Sequence, residues 1–291
     1  MCITRVTAGG NRRLAPPFPA FPGAGGREEP APVERADQVL ALPAPGLLLQ
    51  ATRGDGIVRL HHHGSDHVRP YEGETAAEDD PHYGRQAYST RTGPTAPGNV
   101  ADNHLSVEVG GRRSVRRRIR PLGAGDGDGW GWAASWHRPV FAGGPPMVPG
   151  LRVESVTVAR GVYELRVHRV TGAPAGARVT HTGWATGPEE ELVSALHGLY
   201  GWDPAVETVR APQGTARTRW AHLPRLTGRA GGTTVHVCLA VLTTAPGPGP
   251  SARAVTGVEA DGSGVAAVWA DGPRTRVMFD PVRVTLAGHR G

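Results

Sequence analysis

Histidines, acids, arginines and tyrosines crowd one stretch of this chain, from Gly56 to Val109. It reads GIVRLHHHGSDHV, then DPHYGRQAYSTRTGPT, then DNHLSVEV. Set on short strand-like pieces with little other polar burden, such side chains suit hydrogen bonding to a hydroxyl-rich ligand or to a partner domain. His61 and His63 point to one face of a strand, and Asp66 and His67 follow a turn at Gly64. Two histidines at i, i+2 can share one metal ion, with Asp66 adding an oxygen. A metal-binding barrel of that pattern wants a glutamate where Asp66 stands and a different glycine spacing, so neither a metal nor a cofactor is expected. The plain alternative has Ser65 and Asp66 bonding backbone amides to hold the turn. Between these lies a polar ligand or interface site built from His63, Ser65, Asp66, His67, Arg85 and Tyr88.

Further along, WGWAASWHRPVF puts Trp130, Trp132 and Trp136 on one side of a strand by parity. Aromatic rings on a sheet can hold the apolar faces of sugars, and they also fill cores between sheets. Trp132 and Trp136 join the candidate binding residues. Arg112, Arg116, Arg118 and Arg120 form a stripe that could pair with carboxylates or serve as a solvated edge. Nucleophilic catalysis finds no support, because no GxSxG elbow surrounds Ser65. Glu72, Glu74, Glu78, Asp79 and Asp80 read as an acidic loop rather than a catalytic pair.

The elements that must position these residues read as strands. LSVEV alternates apolar and polar residues, and Gly110-Gly111 turns it into RRSVRRRIRPL. LRVESVTV and GVYELRVHRV make a second hairpin. Asp261-Gly262 and Asp271-Gly272 bracket GVAAVWA, with TRVMF after it, predicting a three-strand meander. One short helix is expected from Pro188, Glu189, Glu190 and Glu191, with Leu192, Ala195, Leu196 and Leu199 at i, i+3, i+4, i+7. The fold class is all-β, an antiparallel β-sandwich over residues 37–291 with that one helix. A Pro/Gly/Arg-rich tail over residues 1–36 is too poor in apolar side chains to offset chain entropy and is expected to be disordered.

Composition narrows the function. All 32 basic residues are arginines, set against 26 acids for a net charge of +6. With abundant Ala, Gly and Pro, this is the coding bias of a GC-rich, actinobacterium-like genome, so the charge is no argument for nucleic acid and no such partner is expected. The two cysteines, Cys2 and Cys238, make no disulfide framework, and Cys238 within VHVCLAVL reads as a buried thiol. Without a leader pattern or a spanning apolar run, the expectation is a cytoplasmic protein with no membrane partner.

RLHHHGSDHV, followed by HYGRQAYSTRTGPT and a polar meander, resembles the C-terminal part of the bacterial proteins catalogued as domain of unknown function 2264. The resemblance runs from Pro43 to about Gly187 and more loosely beyond. It implies an (α/α)6 toroid followed by a β-sandwich, the layout of heparinase II/III-like lyases and related glycoside hydrolases, some of them acting on glucuronides. The positions that match its motifs are His63, Gly64, Ser65, Asp66 and His67, then Tyr83, Arg85, Tyr88 and Ser89; the toroid has no counterpart in this sequence. The chain then reads as the sandwich of a carbohydrate-active protein, not catalytic alone, with a toroid or a carbohydrate as partner. A non-catalytic binding or domain-packing module and a truncated gene product are the alternatives.

Convergence of His63, Asp66, His67, Arg85 and Tyr88 at one end of the sandwich is testable with Asp66→Asn, which keeps shape and removes charge. Affinity for ligand or partner domain should fall by at most a few kcal/mol with little change in stability. Unfolding, with unchanged binding per folded molecule, would mark the cluster as a structural turn.

Overall fold

Two very long strands organise the molecule: β10 in the numbering below has 20 residues and β13 has 22. The computed structural model describes residues 38–42, 47–51, 58–62 and 90–91 as backbone, and 105–114, 120–141, 147–182, 193–210, 222–243 and 252–288. A first sheet holds β1 (Gln38–Leu42), β2 (Leu47–Ala51) and β3 (Val58–His62) in antiparallel order, with β4 (Thr90–Arg91) parallel to β3. The central sheet of nine strands comprises β5 (Leu105–Val109), β6 (Arg112–Arg113), β7 (Arg120–Gly127), β8 (Trp130–His137), β9 (Arg152–Arg160), β10 (Tyr163–Thr182), β11 (Val193–Tyr200), β12 (Val206–Arg210) and β13 (His222–Thr243). A third sheet is the meander β14 (Val255–Ala260), β15 (Gly264–Trp269), β16 (Arg274–Met278) and β17 (Arg283–Ala287).

Bulges bend the long pair in the middle. The β10–β13 register shifts between Val170 and Ala173 and again between Ala173 and Ala177, the local effect of extra residues in one strand. Gly172 takes φ +69° there, and a Cβ on it would stand 2.5 Å from the Gly150 carbonyl oxygen, so only glycine fits. Before the bend, β9 pairs with residues 163–171 of β10; beyond it, β5 pairs with Arg178–His181. Likewise β11 takes one half of β13 and β12 the other. The sheet thus folds over, and Val153 and Val170 share a core with Leu105, Val107 and Val179.

The opposite face of the sheet carries Val156, Val158, Leu165, Val167, Val237 and Leu239 and packs against Trp269, Val265, Val277 and Phe279 of the third sheet. An ion cluster fastens that contact at its rim. Arg169 donates from Nε to Glu154 at 2.5 Å and from Nη2 to Asp280 at 2.8 Å, and its Nη1 reaches the Gly262 carbonyl at 3.2 Å. Arg169 and Glu154 are buried, whereas the Asp280 side chain is 68% exposed. Asp280 therefore contributes from solvent, while Glu154 depends on the arginine for its only buried countercharge on that strand pair.

The all-β antiparallel architecture is as expected, and so are the hairpins at Gly110-Gly111, with φ of 58° and 74°, and at Arg160–Tyr163. Two elements differ. The meander has four strands, because Arg283–Ala287 returns along β16 beyond Asp280-Pro281. The expected helix is a strand: Val193–Tyr200 is β11, and the helical structure among the described residues is the 3₁₀ turn Ala252–Ala254. Leu196 and Leu199 lie an odd number of residues apart, so on a strand they face opposite cores, Leu196 beside Leu226 and Ala240 and Leu199 toward the third sheet. A spacing of three fits a helix face as well as a strand buried on both sides. Gly198 weakens the helix by about 1 kcal/mol, and the open edge of β13 offers a full ladder of backbone bonds instead.

Replacing Arg169 by Met leaves the buried Glu154 with the partly exposed Arg152 as its remaining countercharge and should cost about 2–3 kcal/mol in urea unfolding. Asp280→Asn touches only the exposed partner and should cost about 1 kcal/mol or less. The reverse order would show that the clamp draws its strength from the surface.

Candidate functional site

Two groups of side chains stand out on this frame. The first is an aromatic shelf at the β7 edge of the central sheet. Trp132 faces Gly125 and Trp130 faces Gly127 across the strand pair. A Cβ at Gly125 would meet Trp132 Nε1 at 2.7 Å, and one at Gly123 would meet the far end of the same indole, Cη2, at 3.0 Å. The Trp132 ring therefore lies along the outermost strand on a bed without side chains. Trp130 crowds Gly127 in the same way. Both indoles are half-buried and pack against the core, and β1 and β2 of the first sheet lie beside this strand pair. Trp136, third in the row by parity, differs: the Arg152 guanidinium sits 4.6 Å from its ring centre, and Arg152 is in turn held by Glu154 at 2.6 Å.

The second group is a buried polar box inside the fold of the bent sheet. Glu164, Arg166 and His168 alternate along β10 with Leu165 and Val167, so they occupy the inner face of the bend. Arg166 donates to Glu164 Oε2 from Nη2 at 2.7 Å and from Nε at 3.2 Å, and its Nη1 reaches His181 Nε2, from beyond the bend, at 2.9 Å. A guanidinium can only donate, so Nε2 of His181 is the acceptor. His168 meets Ser155 Oγ through Nδ1 at 2.9 Å and lies 4.9 Å from the His181 ring. Cys238 stands directly across the ladder from Arg166, fully buried, and burial pushes its thiol up to about 12.

A short loop after β11 closes the box. Trp202 donates from Nε1 to the Val237 carbonyl at 2.9 Å, and its ring lies 4.9 Å from that of His236. Nδ1 of His236 donates to the Gly201 carbonyl at 2.8 Å, which leaves Nε2 to accept from Thr234 at 3.2 Å. Gly201 has φ +77°, and a Cβ there would lie 2.3 Å from the Val235 carbonyl, so the close approach depends on glycine. Burial lowers His236 to about 4 despite the carbonyl contact, which by itself raises it.

Of the residues singled out in the sequence, His63, Ser65, Asp66, His67, Arg85 and Tyr88 lie outside the described residues. The strands that border their two patterns are described: β3 and β4 run side by side, His61 opposite Thr90. Trp132 sits in the shelf and Trp136 does not, while Trp130 is its actual companion. Arg112 lies 3.7 Å over the Phe141 ring, and Arg120 begins β7. Cys238 is the buried thiol expected. The polar box was missed. Its one signal is the alternation Glu164, Arg166, His168 and then His236, Cys238, which on a single sheet reads as a solvated face.

Comparison with known proteins finds likeness in fold alone. No family model and no curated protein matches the chain. Among solved structures, a heparan sulfate lyase HepC mutant from Pedobacter heparinus is similar over 91% of this chain and 45% of its own, at 10% identity and a TM-score of 0.44. A heparinase III, the BT4657 gene product, is similar over 85% of this chain and 42% of its own, at 11% identity and a TM-score of 0.42. The chain thus spans less than half the length of these structures.

His236 makes stability depend on pH. Its folded value of about 4 lies below the ordinary 6.5, so the unfolded chain binds the extra proton first. Its contribution is complete above about 6.5 and is lost as pH falls toward 4, a change of a few kcal/mol. Chemical denaturation across that window should show the slope, and His236→Gln should flatten it. An equal slope in the variant would place the protonation elsewhere.

Proposed function

We propose that this chain is the β-sandwich part of a carbohydrate-active protein and that it engages sugar on the shelf of Trp130 and Trp132 rather than cleaving a glycosidic bond by itself. One observation carries this: two partly open indoles laid over the glycines of an edge strand. Glycines beneath a ring let it lie flat, and a flat ring at a sheet edge offers its π face to the C–H face of a pyranose. Aromatic rings also shield edge glycines as a purely structural device. That device needs no solvent-accessible ring, whereas both indoles here keep part of their surface exposed. The pattern HGSDH and YxRxAYST, with its implied toroid partner, is consistent with the same reading. A toroid seated on the sandwich would bring further polar groups to a sugar held there.

Affinity electrophoresis through gels containing neutral or uronate polysaccharides tests the shelf. Trp132→Ala should weaken retention by about tenfold, or about 1.4 kcal/mol. Trp132→Phe should keep part of it. Trp136→Ala should have little effect, since Arg152 already covers that ring. Equal losses at Trp132 and Trp136, or none at Trp132 in a folded variant, would remove the shelf from any binding role.

A further inference from the structure

His168, His181 and Cys238 bring two imidazole nitrogens and one thiol sulfur within 4.8 Å of one another in the buried polar box. Three separate segments supply them: β10 before the bend, β10 after it, and β13. All three side chains are more than nine-tenths buried. We propose that this triad is a binding site for a soft monovalent d¹⁰ cation, copper(I).

The ligand set selects the ion. Thiolate and imidazole together favour copper and zinc over the hard oxygen-seeking cations. A structural zinc takes four ligands, and among the described residues no fourth histidine, cysteine or carboxylate joins the group. Copper(I) is satisfied by three. Charge points the same way. Loading follows Cys238 Sγ–H + Cu⁺ → Cys238 Sγ–Cu + H⁺, with the proton leaving to solvent and each neutral imidazole giving a lone pair. Thiolate and copper(I) then cancel, whereas a divalent ion would leave a net positive charge among buried side chains. The nearby Arg166 adds no net charge, because Glu164 pairs with it at 2.7 Å.

The surroundings also suit a metal site. Ser155 holds His168 through Nδ1 at 2.9 Å, the outer contact that orients a coordinating imidazole. The one lone pair of neutral His181 lies on Nε2, where Arg166 donates at 2.9 Å, so copper replaces that hydrogen bond and leaves Arg166 to Glu164. Bonds of roughly 2.0–2.3 Å in a trigonal plane put ligand atoms about 3.6 Å apart, so the widest gap closes by about 1 Å of side-chain rotation.

The test is anaerobic titration of the full chain with Cu⁺ against a colorimetric chelator, on folded protein and during refolding from urea, since the site is closed to solvent. One equivalent should bind per chain, with thiolate-to-copper charge-transfer absorption. X-ray absorption should show one sulfur and two nitrogens. Cys2→Ser should bind as the native chain does, while Cys238→Ser should lose the absorption and about a hundredfold or more in affinity. No stoichiometric copper in either arm, a copper shell without sulfur, or unchanged binding by Cys238→Ser would overturn the site. Should Cys238→Ser not fold, the X-ray absorption of the native chain decides alone. Zinc bound at one equivalent through the same three ligands would overturn the assignment to a monovalent ion.

Discussion

Arg166 carries a full positive charge at 2% exposure, and the rest of the fold is arranged so that it can. Moving such an ion out of water costs several kcal/mol even after relaxation. Glu164, two residues along the same strand, supplies the countercharge, and a further acceptor comes from His181, fifteen residues on. That contact exists because β10 turns back on itself at its bulges. The bend, the glycine at 172 that permits it and the loop at Gly201–Asp203 that ties β13 down are therefore conditions for one another. A straight β10 would leave His181 far from Arg166, since each strand residue advances the chain about 3.3 Å.

This arrangement also explains why the central sheet is buried on both faces with different chemistry. One face is aliphatic and meets the C-terminal meander in an ordinary sandwich contact. The other is polar and meets the sheet's own far half. Replacing such a network with apolar side chains can be neutral for stability, so packing alone is a weak reason for placing Glu164, Arg166, His168, His181, His236 and Cys238 together. A ligand held by part of the network supplies the missing reason.

How much was legible beforehand follows from periodicity. LSVEV with Gly110-Gly111 and the turns around Gly161, Asp261 and Asp271 declare themselves locally, because hairpins are set by neighbouring residues. The polar box was not legible. Glu164, Arg166 and His168 obey the same period-2 rule as a solvated face, and nothing local shows that residues beyond a bulge return to cover them. The strand Val193–Tyr200 failed for a related reason: its spacing of three suits a helix, and the strand edge that claims it lies some forty residues further on. Parity puts Trp130, Trp132 and Trp136 on one face and does not single out Trp130 with Trp132. The placement of these two over glycines depends on the partner strand, and the separation of Trp136 depends on Arg152 from β9.

The proposed carbohydrate binding by this chain turns on Trp130 and Trp132. The seven tryptophans give separate indole N–H signals in principle, and five have defined surroundings here, Trp136 beneath Arg152 among them. Trp130 and Trp132 lie on the shelf, while Trp202 and Trp269 donate inside the protein to the Val237 carbonyl and to Thr275. In a ¹⁵N–¹H titration with oligosaccharides, the Trp130 and Trp132 signals should move along a saturating curve while those of Trp202 and Trp269 stay fixed. Movement confined to other tryptophans, or no movement with any sugar that the protein retains in a gel, would contradict the shelf as the place where carbohydrate binds.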